Sequence, residues 1–195
     1  MSSVKQPNFT SLEERLVREF SPALAAALAR ISAADPLACC VIDAAPYYGC
    51  YALNLDVRSN QLALLLGEQS QRLARRAWTR SAEPHAWTES AKIAAIDGLS
   101  PFSSETADYA MSFVCEVKED MDAFTHSPEY EALGADVGTD GFAWLKGHAI
   151  PMLFRVCDRL VDSGAFAGVP CTTPAIVGFT LGEGPATVCR LLLGG

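Results

Sequence analysis

Cys39-Cys-Val-Ile-Asp-Ala-Ala-Pro-Tyr-Tyr-Gly-Cys-Tyr-Ala-Leu-Asn-Leu-Asp-Val57 is the stretch on which the fold turns. Its first part, residues 39–42, is a short apolar run. Beyond Ala45-Pro46, residues Tyr51, Leu53, Leu55 and Val57 alternate with Ala52, Asn54 and Asp56, the period of a half-buried strand. Two such runs around a turn predict an antiparallel hairpin. A second pair, residues 175–181 and 186–193, flanks Gly182-Glu-Gly-Pro185 and predicts another.

The segments around these hairpins carry helical spacing. Upstream, Leu12, Leu16, Phe20, Leu24, Leu28 and Ile31 draw one stripe, opened by the capping box Ser11-Leu-Glu-Glu14. Pro22 is expected to bend or split this helix, which must end before Asp35-Pro36. Downstream, Ser59-Asn60 would cap a helix bearing Leu62, Leu65, Leu66 and Leu73, with Arg72, Arg76 and Arg80 along its outer face. A short helix through Trp87 stops at Gly98. The clearest seam runs through Ala107, Ala110, Val114, Val117, Met121 and Phe124, and predicts a helix whose other side shows Glu105, Asp108, Glu116, Glu119, Asp120 and Asp122. The last helical region, 140–162, contains Pro151, an expected kink, and ends at Gly164.

Strands that come in pairs, separated by several helices, favour an α+β fold over a doubly wound parallel one. The expectation is an antiparallel sheet built from two hairpins, with helices packed on one face. No repeat or low-complexity linker divides the chain, so residues 1–195 are read as a single domain, residues 1–10 being a flexible N-terminal arm.

Fifteen Lys and Arg stand against 23 Asp and Glu, for a net charge of −8. Affinity for phosphate backbones comes from Lys and Arg, so this balance argues against nucleic acid and anionic membranes as partners and favours a basic protein. The opening residues lack the apolar stretch of a secretory signal, and runs such as 62–66 fall far short of the ~20 residues that span a bilayer. A cytoplasmic protein is expected. The seven cysteines, at 39, 40, 50, 115, 157, 171 and 189, are odd in number and follow no framework, and read as reduced, mostly buried thiols.

Catalytic signals are weak. A cysteine nucleophile needs a base and a stabilised thiolate. Cys50, in its tyrosine-rich setting, is the candidate, with His85 and His148 as candidate catalytic imidazoles and His126 the third histidine; no spacing places any of them beside it, and a packed strand residue is the simpler reading. Vicinal Cys39 and Cys40 read as two buried thiols. No C-x-x-C or H-x-x-x-H pair points to a metal, and the partial ion-loop pattern from Asp136 to Gly141 lacks its third and twelfth ligands. Gly178, Gly182 and Gly184 precede no helix, so they form no phosphate cradle. No metal or cofactor is expected. For binding, the candidates are the acidic group Glu116, Glu119, Asp120 and Asp122, the arginines Arg72 and Arg76, and Trp87. Trp144 beside His148 suits either a pocket or a partner surface, though most tryptophans are core.

The opening amphipathic helix, the strand Tyr47-Tyr-Gly-Cys-Tyr-Ala-Leu53, the segment Ala86-Trp-Thr88 and Gly164-Ala-Phe-Ala-Gly168 together make the chain resemble small bacterial domains of the toxin-immunity type. The resemblance lies in the order of elements and carries no catalytic residue across. It implies a protein that acts by binding another protein, an immunity or adaptor domain without catalytic activity. The alternative reading is a small-ligand binder, or a cysteine- or histidine-dependent enzyme, with a pocket between sheet and helices and Arg72 or Arg76 as anion clamp.

Overall fold

A computed structural model describes residues 6–59, 112–135, 141–181 and 187–192. The expected helices after Ser59 and through Trp87, and with them Arg72, Arg76, His85 and Trp87, lie outside the described residues. Helix α1 spans Phe9–Leu28, strands β1 and β2 span Leu37–Ala45 and Cys50–Val57, and strand β3 spans Ser112–Lys118. Helices α2 (Asp122–Thr125), α3 (Pro128–Ala135) and α4 (Gly141–Asp162) follow, then strands β4 (Cys171–Leu181) and β5 (Thr187–Leu192).

Helix α1 buries Leu12, Leu16, Phe20, Leu24 and Leu28, the stripe its spacing predicts except for Ile31, which lies beyond the helix end and is only half-buried. Its cap differs from the expected box. Asn8 is the N-cap, its side-chain oxygen accepting from the Ser11 amide at 3.1 Å, and Phe9 and Thr10, read as the end of an arm, form the first turn. Losing a cap oxygen leaves a helix-start amide unpaired, so Asn8→Ala should lower stability by about 1 kcal/mol in urea titration. Ser11→Ala should be near neutral, because the backbone of Ser11, and not its hydroxyl, serves the cap. Both Pro22 and Pro151 sit inside unbroken helices.

The fold is α+β, but the sheet is mixed. Its order is β3-β2-β1-β4-β5; β1 runs parallel to β4, and the other neighbours are antiparallel. The expected helix over 107–124 is the main correction: Ser112–Lys118 is a strand, pairing Tyr51 with Val117 and Leu53 with Cys115. Phe113, Val114 and Val117 prefer a pleated surface to a helix, and Cys115 and Val117 alternate with Glu116 and Lys118. Over so short a run the period of 3.5 and the period of 2 pick overlapping residues.

Helices α1 and α4 pack against each other and the sheet, enclosing a core that includes Cys40, Ile42, Tyr51, Leu53, Val117, Met152, Val156, Val177 and Phe179. Glu13 on α1 locks the pair, accepting from Arg155 Nε at 2.7 Å and Arg159 Nη1 at 3.3 Å. Cys39, Val41, Ile176 and Thr180 alternate with the core residues of β1 and β4 and are buried too. The central strands are therefore buried on both faces, which departs from the expected one-sided packing.

One polar atom breaks the apolar accounting. Tyr51 is fully buried, and its hydroxyl is the single buried side-chain polar atom among the described residues without a hydrogen-bond partner. Removing an unsatisfied hydroxyl while keeping the ring removes a desolvation cost. Tyr51→Phe should leave stability unchanged or raise it by up to about 1 kcal/mol, where a core tyrosine with a bonded hydroxyl would lose a similar amount; urea titration at pH 7 separates the two.

Candidate interaction surface

The turn between β1 and β2 and the corner between β3 and α2 meet at one end of the sheet. Pro46–Tyr48 form a single 3-10 turn closed by Gly49 in the left-handed region, φ +66°. The Gly49 carbonyl then accepts from the Glu119 amide at 2.8 Å, joining the two corners. A Cβ at Gly49 would run into the Glu119 carbonyl oxygen and come within 2.8 Å of Met121 Cγ, so only glycine serves both the conformation and the approach.

This junction exposes aromatic rings beside acids. Tyr48 is 74% exposed, with its ring 5.2 Å from Tyr47, which in turn meets His126 and Tyr130 edge-on. Inward of them, Phe124, Tyr130 and Trp144 continue the ring contacts. Trp144 and Phe9 flank the ring of His148, whose Nδ1 lies 2.9 Å from the Trp144 carbonyl. The ring contacts draw on four separate segments, at Phe9, Tyr47, Phe124 and Trp144, so no local motif announces them.

Of the expected acidic face, Glu116 lies on strand β3, Glu119 and Asp120 in the connection after it and Asp122 at the start of α2, so the four do not lie along one helix. Glu116 pairs with Lys118 at 3.1 Å, and the hydrogen bond to its carboxylate, then the carboxylate's charge, raises the lysine's pKa. Glu119 pairs with Arg15 at 2.8 Å, and Arg15 also holds Glu19. Those two carboxylates are neutralised in place. Asp120 meets no cation among the described residues, its Oδ1 accepting from the Asp122 amide at 3.3 Å. Asp122, its side chain 88% exposed, lies 3.3 Å from His126 Nδ1. Among the described residues Asp120 and Asp122 are thus the two of the four left to meet a partner, and Asp122 is linked through the His126 ring to Tyr47. Beside them a cavity of about 310 Å³ is lined by Asn8, Ser11, Arg15, Glu119, Asp120 and Phe124, among others.

Among the described residues the nucleophile candidate finds no base. Cys50 is half-exposed at the start of β2, opposite Lys118, and its thiol donates to the Tyr48 carbonyl at 3.5 Å. The imidazoles of His126 and His148 are engaged with Asp122 and Tyr47, and with Trp144 and Phe9. Elsewhere burial holds thiols protonated: it raises Cys39 and Cys115, and pushes Cys40 up to about 12. Among the described residues no group of three or more His, Cys, Asp or Glu is placed to hold a metal, and no helix is long and apolar enough to cross a membrane.

Comparison of the chain with protein-family models, with curated proteins and with solved structures finds no match.

Proposed function

We propose that the chain is a non-catalytic protein-binding domain, of the immunity or adaptor kind, that engages a basic protein. The observation that supports this most is the corner where, among the described residues, Asp120 and Asp122 meet no Lys or Arg, and Asp122 lies against His126, whose ring meets the half-buried Tyr47 beside the exposed Tyr48. Carboxylates next to aromatic faces suit an arginine or lysine side chain, which gains an ion pair and a cation–π contact at once. The net charge of −8 adds long-range steering toward a cationic surface. Glu116 and Glu119 serve Lys118 and Arg15, so their role is to hold the corner in shape.

The test is affinity capture of the partner from native extract at low and high salt, with wild type and with Asp120→Lys/Asp122→Lys. A basic partner retained stoichiometrically by wild type, released by salt, and bound at least tenfold more weakly by the double variant is the expected result. Binding indifferent to both salt and charge reversal would refute the electrostatic reading. The enzyme alternative instead demands a selectively reactive Cys50. Alkylation at neutral pH that labels Cys50 far ahead of the other half-exposed cysteines, Cys115, Cys171 and Cys189, would favour it.

A further inference from the structure

The cavity beside the aspartates has a charge of its own. It holds about 310 Å³ between the start of α1 and the connection from β3 to α2, and the buried side chains of Leu12, Met121 and Phe124 give it an apolar wall. Arg15, Glu119 and Asp120 are its charged lining. The Arg15 guanidinium is held by two carboxylates, donating from Nε to Glu19 Oε1 at 3.1 Å and from Nη1 to Glu119 Oε2 at 2.8 Å. The start of α1, capped by Asn8, borders the cavity too and brings about half a positive charge. Against these stand Glu19, Glu119 and Asp120, which leaves an excess of roughly 1.5 negative charges. A cation is the ligand this balance favours.

The acids also discriminate between the two cationic side chains. Glu119 Oε2 is taken by Arg15, and Asp120 Oδ1 accepts from the Asp122 amide at 3.3 Å. Each carboxylate therefore keeps one oxygen, Oε1 and Oδ2, without a partner among the described residues. A guanidinium binds best as a fork on both oxygens of one carboxylate, whereas an ammonium is a compact charge that takes single acceptors from different groups. The volume lies at the small end of ligand pockets and suits one long side chain.

We propose that this cavity is the anchor site for one lysine side chain of the basic partner, its ammonium held by Asp120 and Glu119 and its methylenes lying on Leu12, Met121 and Phe124. The inference rests on the reading of the chain as a binder of a basic protein and adds the residue type and the place of entry. A lysine packs its stem on apolar surface while its head meets the acids, and the Phe124 ring adds a cation–π contact. The two aspartates then have different roles. Asp120 lines the cavity and touches the lysine; Asp122, against His126 at the start of α2, is not part of the lining and contributes only long-range attraction.

The experiment is an NMR titration of the nitrogen-15-labelled full chain with Nα-acetyl-lysine amide and with its arginine and norleucine analogues, run beside affinity capture of the partner with single variants. The lysine compound is expected to shift the backbone amides of Glu119, Asp120, Met121 and Phe124 with millimolar affinity. The arginine compound binds about threefold more weakly, and the norleucine compound leaves those amides in place. Asp120→Asn, which keeps the side chain's shape, weakens both the lysine compound and the captured partner about tenfold, and Asp122→Asn weakens them less than about twofold. An otherwise unchanged amide spectrum shows that each variant is folded. The proposal is overturned if the lysine compound shifts none of these amides at tens of millimolar, if norleucine shifts them as strongly, or if the two variants lose binding equally. The two readings fail separately. A basic partner released by salt, with no response to the lysine compound, removes the anchor and leaves the protein-binding reading; a lysine compound bound in the cavity with no basic partner captured removes the partner and leaves the preference for an ammonium.

Discussion

Gly49→Ala should cost about 3 kcal/mol of stability and weaken partner binding with it. Two separate penalties add. An L-residue held in the left-handed region carries roughly 1–2 kcal/mol of strain. The new Cβ also meets the Glu119 carbonyl oxygen, which belongs to backbone and yields only if the corner moves. Movement there lengthens the bond from the Glu119 amide to the Gly49 carbonyl and shifts Asp120 and Asp122 away from Tyr48. Gly164→Ala separates the two penalties. Gly164 has φ +76° with open space where a Cβ would stand, so alanine there pays the strain alone, about 1 kcal/mol. Urea titrations of both variants decide the matter; equal losses would mean that the close approach at Gly49 carries no energy.

A larger loss is expected from alkali alone. Burial raises the pKa of the Cys39 thiol well above its ordinary value, pushes Cys40 up to about 12, and raises the Tyr51 hydroxyl; the hydrogen bond with Cys189, then burial, raises Cys157. The neutral form is the one the fold accommodates. In the unfolded chain the same thiols ionise near pH 8.5–9, so between there and the folded values the unfolded state holds fewer protons and gains stability relative to the native one. The contribution is fully present below about pH 8.5 and is lost as pH rises toward 12. With three buried thiols at roughly 1.4 kcal/mol per pH unit each, the loss between pH 7 and pH 10 is about 5 kcal/mol, as much as the whole stability of many domains. Denaturant titrations under reducing conditions across that range should show a steepening fall, and Cys39→Ala/Cys40→Ala should remove more than half of it. A flat profile to pH 10 would show that these thiols ionise as readily folded as unfolded. These positions cannot supply a nucleophile at neutral pH for the same reason that they make the fold alkali-labile.

Much of this arrangement was legible in the sequence where a pattern is local and long. The stripe from Leu12 to Leu28 repeats over five turns, and Tyr51, Leu53 and Leu55 alternate cleanly, so α1 and the β1–β2 pair emerge from periodicity alone. Ser112–Lys118 failed because a seven-residue strand next to the helical residues Asp122 to Thr125 shares its apolar positions with a heptad. Residue chemistry, two valines and a phenylalanine within five positions, was the better guide there. The parallel neighbour of β1 is set by packing between distant segments, which no local window contains. At the interaction surface the acids Asp120 and Asp122 were identifiable by type, but their setting was not, since the bond from Glu119 to Gly49 is what carries them to the tyrosines. Among the described residues, what distinguishes Asp120 and Asp122 from Glu116 and Glu119 is the position of Lys118, two residues along the same strand, and of Arg15, which tertiary geometry brings to Glu119.

The parallel pairing of β1 with β4 governs the order in which the molecule can be assembled. Leu37 lies beside Cys171 and Ala44 beside Leu181, so the middle of the sheet stays open until nearly all of the described chain has left the ribosome. Until then β1 has a neighbour on one side only, and its apolar edge, from Cys39 to Ala44, is available to any other extended chain. Topologies dominated by such distant pairings fold slowly and pass through aggregation-prone species. A nascent chain of this kind has reason to depend on chaperones in proportion to the time taken to make residues 58 to 170, and synonymous changes that slow translation across that interval would lower its soluble yield without altering a single side chain.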